Sequence, residues 1–256
     1  KTLFPAIGAA GTASLRIGIS AIILLAVYRP NLLKITPNQW KIVIPYGLSL
    51  GAMNLIFYLA IERIPIGLAV TLEFIGPLVV AVIGSKRLID YLWVLLAAIG
   101  IVLIAPWSNN GIDLLGVLFA LLAGALWAAY IVLGTKVSKI MKGGEAVATG
   151  MLFASVLIVP FGILENGLTN LTPTFLYLGI ALALLSSAIP FTLEMKALAQ
   201  LPARTFSILM SLEPAAASIF AFIFLQEYLT FNEILAVVFV VIASVGSTIT
   251  SKRTTI

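Results

Sequence analysis

The chain has 256 residues, 61% of them hydrophobic and only 10% charged, with a mean hydropathy of +1.16 and a net charge of +5. A soluble domain is nearer half apolar and a quarter charged, so the composition excludes an ordinary water-soluble fold. The absence of cysteine and histidine removes disulfides, thiol chemistry, zinc sites and Ser-His or Cys-His catalysis, and no metal, cofactor or enzymatic activity is expected.

Apolar runs of about 20 residues recur along the whole length, each able to cross ~30 Å of hydrocarbon as a helix. A membrane β-barrel would show short alternating segments instead. The predicted class is an all-α polytopic membrane protein. In chain order, residues 1–10 read as the end of one span. Complete spans follow at about 12–28, 41–61, 65–83, 89–106, 113–133, 145–164, 174–195, 202–224 and 229–249. The connections are short and carry turn chemistry, as in "YRPNLLKITPNQ", "ERIP", "PWSNNGID" and "ENGLTNLTP". Basic residues divide unevenly between the two sides. One side takes Arg29, Lys34, Lys41, Lys86, Arg87, Lys136, Lys139, Lys142, Lys196, Arg204, Lys252 and Arg253; the other takes Arg63 and Lys1. Positive residues stay inside, so the first side is expected to be cytoplasmic, the C-terminus with it. The charge is a topology signal, and no nucleic-acid partner is expected.

The two halves repeat. "LAIERIPIGLAVTLEFIGP" (59–77) lies over "KALAQLPARTFSILMSLEP" (196–214), with Pro65 on Pro202 and Pro77 on Pro214 at one ungapped shift of 137. The same shift puts Asp90 and Tyr91 on Glu227 and Tyr228. A five-span unit has an odd number of crossings, so the copies enter the membrane from opposite sides. The expected architecture is a ten-helix inverted repeat (5+5), with residues 1–110 and 111–256 as its halves and most of the first helix missing before residue 12. Such repeats are typical of secondary transporters.

Four strings carry a family resemblance: "GAMNLIFYLAIERIPIGLAVTLEFIGPL" (51–78), "GALWAAYIVLG" (124–134), "AIPFTLEMKALAQLPARTF" (188–206) and "LMSLEPAAA" (209–217). With ten spans and paired prolines, the chain resembles the EamA branch of the drug/metabolite transporter superfamily, over nearly its whole length. The resemblance implies a bacterial inner-membrane exporter of small amino acids of the threonine/homoserine kind. It also implies a central cavity lined by residues 1–10 and the spans at 41–61, 65–83, 113–133, 174–195 and 202–224, with 89–106 and 229–249 peripheral. Expected partners are a small-molecule amino acid, the lipid bilayer and protons for coupling. A homodimer is left open, and export of lipophilic cationic drugs or another small metabolite is the alternative function.

Three acids lie within spans: Glu73, Glu194 and Glu213. A charge at the bilayer centre costs ~3 kcal/mol on insertion scales, so such a group faces a cavity, finds a partner or stays protonated. Neutral, hydrogen-bonded packing is the plain alternative, and snorkelling beside Lys196 is a further one for Glu194. Pro77 gives no helical hydrogen bond to the Glu73 carbonyl, and Pro214 gives none to Met210. Freed carbonyls mark polar transporter sites, although proline also makes plain kinks. Helical spacing adds Asn54 with Tyr58, Trp127 with Tyr130, and Ser187, Phe191 and Glu194 on a stripe kinked at Pro190. A small zwitterion needs an acceptor for its ammonium and donors for its carboxylate. Arg16 is the candidate donor, with snorkelling near the periplasmic end as the competing reading. Trp40, Trp93 and Trp107 read as interfacial anchors.

Overall fold

A computed structural model describes residues 4–104, 113–164, 173–213, 215, 216, 219, 223 and 230–252. Every element among them is helical: α1 (Phe4–Tyr28), α2 (Pro37–Ile61), α3 (Ile66–Glu73), α4 (Ile75–Ile83), α5 (Leu88–Ile104), α6 (Leu114–Val137), α7 (Gly143–Leu164), α8 (Pro173–Ala183), α9 (Ile189–Gln200), α10 (Ala203–Met210) and α11 (Phe231–Lys252). Six of the stretches they form are long and apolar enough to cross a membrane. Their outward faces carry exposed Ile22, Ile83, Leu118 and Val156, the reverse of a water-facing surface.

The predicted spans fall on these helices, with informative differences. Gly8 interrupts α1 at φ 69, a conformation glycine adopts without steric cost, where one predicted span ends and the next begins. Helix α2 starts at Pro37 instead of 41. Thr36 Oγ accepts from Gln39 N, and the Gln39 side chain accepts from Thr36 N, a reciprocal cap that satisfies two orphan donors.

The span at 65–83 divides at Phe74. Its φ/ψ of −63°, −14° are still right-handed helical, so the break is a kink, not an unwound segment. The span at 174–195 extends to Pro173–Gln200 and holds a π-helical turn at Leu184–Ala188. Most of 214–229, including Pro214, Glu227 and Tyr228, lies outside the described residues, as does Trp107.

Helices α3 and α10 correspond closely at the 137-residue shift. Pro65 precedes α3 at φ/ψ −54°, 136°, and Pro202 precedes α10 at −58°, 143°. Phe74 ends the first at −63°, −14°, and Ser211 ends the second at −63°, −13°. Prolines with fixed φ therefore start both helices in the same way.

Packing is close wherever glycines face backbone. Helix α1 runs along α7, where Ser14 Oγ donates to the Ile158 carbonyl at 3.1 Å. Helix α2 lies against α6 and α7, while α5 and α11 pair with each other. Trp93, read as an anchor, sits over Gly246 and donates to Thr250 Oγ1 at 3.2 Å. Trp40 meets Phe153 edge-on at 5.7 Å.

The two ends differ in charge. One gathers Tyr28 against Gly144, Gln39 bonded to Ile140 and Ser138 near Leu198. It also holds a buried ion pair between Arg204 and Asp90, whose carboxylate accepts from Lys86 N and Arg87 N as well, each at 3.1 Å. The other end carries Arg63 paired with Asp113 at 3.1 Å.

Candidate functional site

A cavity of about 650 Å³ lies among the helices, within the ~300–1,000 Å³ of ligand pockets. Helix α1 contributes Thr12 and Arg16; α2 contributes Met53, Asn54, Phe57, Tyr58 and Ile61; Ile66 and Glu73 come from α3, and Trp127 from α6. Leu182, Leu185, Ser186, Pro190, Phe191 and Glu194 close the ring from the kinked span, and Glu213 completes it. None of these comes from α5 or α11. The lining begins at Ile61 and Ile66, at the Arg63 end, and reaches inward to Glu194. Below lie Tyr46, Tyr130, Met195 and Leu198, all fully buried. The cavity is therefore sealed toward the basic end.

Eight of the ten predicted polar or aromatic residues line this one space: Glu73, Glu213, Asn54, Tyr58, Trp127, Phe191, Glu194 and Arg16. Tyr130 does not line it. It forms the floor, donating its hydroxyl to Glu194 at 3.0 Å, stacking on Tyr46 with centroids 5.1 Å apart and meeting Phe191 edge-on at 5.9 Å. Glu213 lies within electrostatic reach of both Glu73 and Glu194, so three carboxyl groups share one space in which each disfavours ionisation of the others.

Glu73 is placed by the kink. Pro77 has no N–H for the Glu73 carbonyl, and Gly124 of α6 packs against that carbonyl. A Cβ on Gly124 would stand 2.6 Å from the Glu73 oxygen, and one on Gly76 would run into the Gly124 oxygen. The two glycines let the kinked span approach α6 backbone to backbone. Phe74 then meets Trp127 edge-on at 4.8 Å.

Arg16 is placed by the π turn. Its Nη2 donates to Asn54 Oδ1, and Nη1 to Ser186 Oγ at 3.1 Å and the Ser186 carbonyl at 3.5 Å. Pro190 has no N–H for that carbonyl, which leaves it to face Arg16. The Arg16 guanidinium carbon lies 5.5 Å from the Tyr58 ring centre. Regular spacing placed Ser187 on the cavity stripe, but the wider turn rotates the helix so that Ser186 lines the cavity instead. Ser187 Oγ is buried without a partner. Thr12 and Ser186 are the polar lining residues that the sequence reading missed. Ser186 had one signal, its position four residues before Pro190.

This cavity, with its three carboxyl groups and one guanidinium, lies among helices long and apolar enough to cross a membrane. Residues 114–249 match the EamA-like transporter family. The threonine/homoserine exporter RhtA of Salmonella typhimurium (strain LT2) is 44% identical over 255 residues, covering 99% of this chain and 86% of that protein.

This chain belongs to the EamA-like transporter family.

Its likeness to RhtA of Escherichia coli (strain K12) is 43% over the same shares of the two chains. A more distant relative, the uncharacterized transporter YwfM of Bacillus subtilis (strain 168), is 26% identical over 86% of this chain and 77% of that one. A solved crystal structure at 16% identity superposes over 98% of this chain and 92% of the other with a TM-score of 0.80, and so shares its fold. Family and helices together make this EamA-like chain a multi-pass membrane protein.

Proposed function

We propose that the chain exports small amino acids of the threonine or homoserine kind across the bacterial inner membrane by alternating access. The observation that carries this is the convergence of Glu73, Glu194 and Glu213 on one cavity in a chain 44% identical to RhtA. Three carboxylates in a membrane cavity favour a cation, and an ammonium group or a proton meets that need. Glu73 and Glu213 bind the substrate ammonium in competition with protons. Glu194, tied to Tyr130, forms the floor of the site. Asn54 and Tyr58 supply polar contacts, and Trp127 and Phe191 the apolar walls.

The halves at 1–110 and 111–256 rock about this cavity as inverted repeats. The matching starts and ends of α3 and α10 support that symmetry, with Pro65 and Pro202 at the starts and Pro77 and Pro190 within the lining spans. The excess of basic residues at the sealed end supports a cytoplasmic location for it and for the C-terminus. The cavity then faces the periplasm, and loading requires the Tyr46–Tyr130–Phe191 floor to part. Coupling to protons follows from the shared binding of ammonium and proton.

Threonine flux in proteoliposomes tests the reading with Glu73→Gln and Glu213→Gln. We expect loss of flux together with loss of its pH dependence. Full flux with unchanged pH dependence in both variants would remove these acids from the mechanism. Acids beside Trp127 and Phe191 also suit a lipophilic cation, and labelled drug that threonine fails to displace would favour that second reading.

A further inference from the structure

Arg16 is the single cation among the described residues that line the cavity, and no described carboxylate forms a direct ion pair with it. The ion pairs among the described residues are Arg63–Asp113, Lys142–Glu145 and Arg204–Asp90. Arg16 belongs to none of them, although Glu73 lies within its electrostatic reach. Its acceptors are neutral: the Asn54 amide oxygen, the Ser186 hydroxyl and the Ser186 carbonyl. Nε is buried with no partner at all. A guanidinium keeps its charge and carries five N–H donors. Here three uncharged acceptors face those five donors, and no carboxylate contacts the guanidinium directly.

The group is also held in place. Asn54 Nδ2 donates to the Leu50 carbonyl at 2.8 Å, which fixes the amide with its oxygen toward Arg16. Pro190 leaves the Ser186 carbonyl free to accept, and Tyr58 braces the guanidinium by a cation–π contact. A guanidinium fixed by neutral groups, with carboxylates elsewhere in the same cavity, is arranged for an anion arriving from outside.

We propose that Arg16 recognises the carboxylate of the transported amino acid, so that a free carboxylate is required of every substrate. This rests on the proposed function and adds to it a second, oppositely charged pole of the site. The acids take the ammonium, Arg16 takes the carboxylate, and a zwitterion bridges them. Decarboxylated amines, amino alcohols and esters lack the second contact.

The test is binding to purified wild-type protein and to R16Q and R16K, read as ligand-induced thermal stabilisation in detergent. The ligands are L-threonine, L-threoninol and 3-hydroxybutyrate, which respectively carry both poles, the ammonium only and the carboxylate only. In the wild type, threonine should act at a concentration at least about tenfold lower than threoninol, the size expected of a charge-assisted contact. R16Q should close that gap to about twofold. R16K keeps the charge without the planar fork and should leave an intermediate gap, which also shows that the position tolerates change. Equal action of threonine and threoninol on the wild type, or an undiminished gap in R16Q, overturns the assignment. If 3-hydroxybutyrate stabilises the wild type but not R16Q while threonine does nothing, the anion site stands and the amino-acid reading falls. If none of the three ligands binds the wild type, the anion site falls as well.

Discussion

Substituting Gly124 by alanine tests whether the close approach of α6 to the kinked span sets the position of Glu73. The new methyl would lie 2.6 Å from the Glu73 carbonyl oxygen and 3.2 Å from its carbonyl carbon and Cα. Ordinary contact begins at 3.4 Å, so about 0.8 Å must be found, and the atoms in the way are backbone that cannot swing aside. Overpacking of this kind costs about 1–3 kcal/mol. The strain is relieved by moving α3 and α4 off α6, which carries Glu73 out of register with the other cavity groups. Expressed as binding, that range is about five- to 150-fold. Threonine counterflow into proteoliposomes should therefore show at least a fivefold rise in KM or fall in rate, with a lowered melting temperature in detergent. Gly143→Ala is the control, because its methyl would meet only the flexible Met195 side chain at 3.5 Å. Wild-type kinetics and melting in G124A, or equal damage in G143A, would refute the reasoning.

Asp90→Asn leaves the Arg204 guanidinium, 12% exposed, without its counter-charge. We expect a loss of about 3 kcal/mol in a denaturant titration, largely recovered in the D90N/R204M double variant because no buried charge then remains unpaired. Tyr130→Phe removes the 3.0 Å bond to Glu194 and should cost about 1–3 kcal/mol by the same measurement. Thr36→Ala should cost about 1 kcal/mol through loss of the α2 cap. The hydrogen bond from Arg63 holds the Asp113 carboxyl below its ordinary value of 3.8, with the Leu115 and Gly116 N–H groups adding to it. A depressed pKa contributes stability above the unfolded value, and that contribution is lost as the pH falls through the folded one. Asp113→Asn should therefore melt lower than wild type at neutral pH, and the difference should vanish in acid.

The spans were legible because the hydrocarbon core imposes a length and a composition that few residues can violate. Glu73 stood out for the same reason, as the lone charge in its segment. The cap at Thr36 was missed because Thr36 to Gln39 fell in the connection "YRPNLLKITPNQ", ahead of a span begun at 41, although the pattern of threonine followed three residues later by glutamine was present. Gly76 and Gly124 carry no signal of their own in the sequence, because their mutual approach is tertiary and leaves no local mark. Arg204 was counted as a loop charge, and its pairing with Asp90 joins helices far apart in sequence. Arg16 had two readings, and only the placement of Asn54, Ser186 and Tyr58 around it puts it on the cavity wall.

The π turn at Leu184–Ala188 bears on how related chains should be aligned. Such a turn holds one residue more than the regular helix needs. Removing a residue from 184–188 would convert the turn to ordinary helix and leave the segments on either side intact in pitch. Removing one elsewhere in Pro173–Gln200 would swing every later side chain about the axis by roughly 100°. A single-residue gap is therefore tolerable at this place in the span, and a relative that carries one there should present a different residue to Arg16.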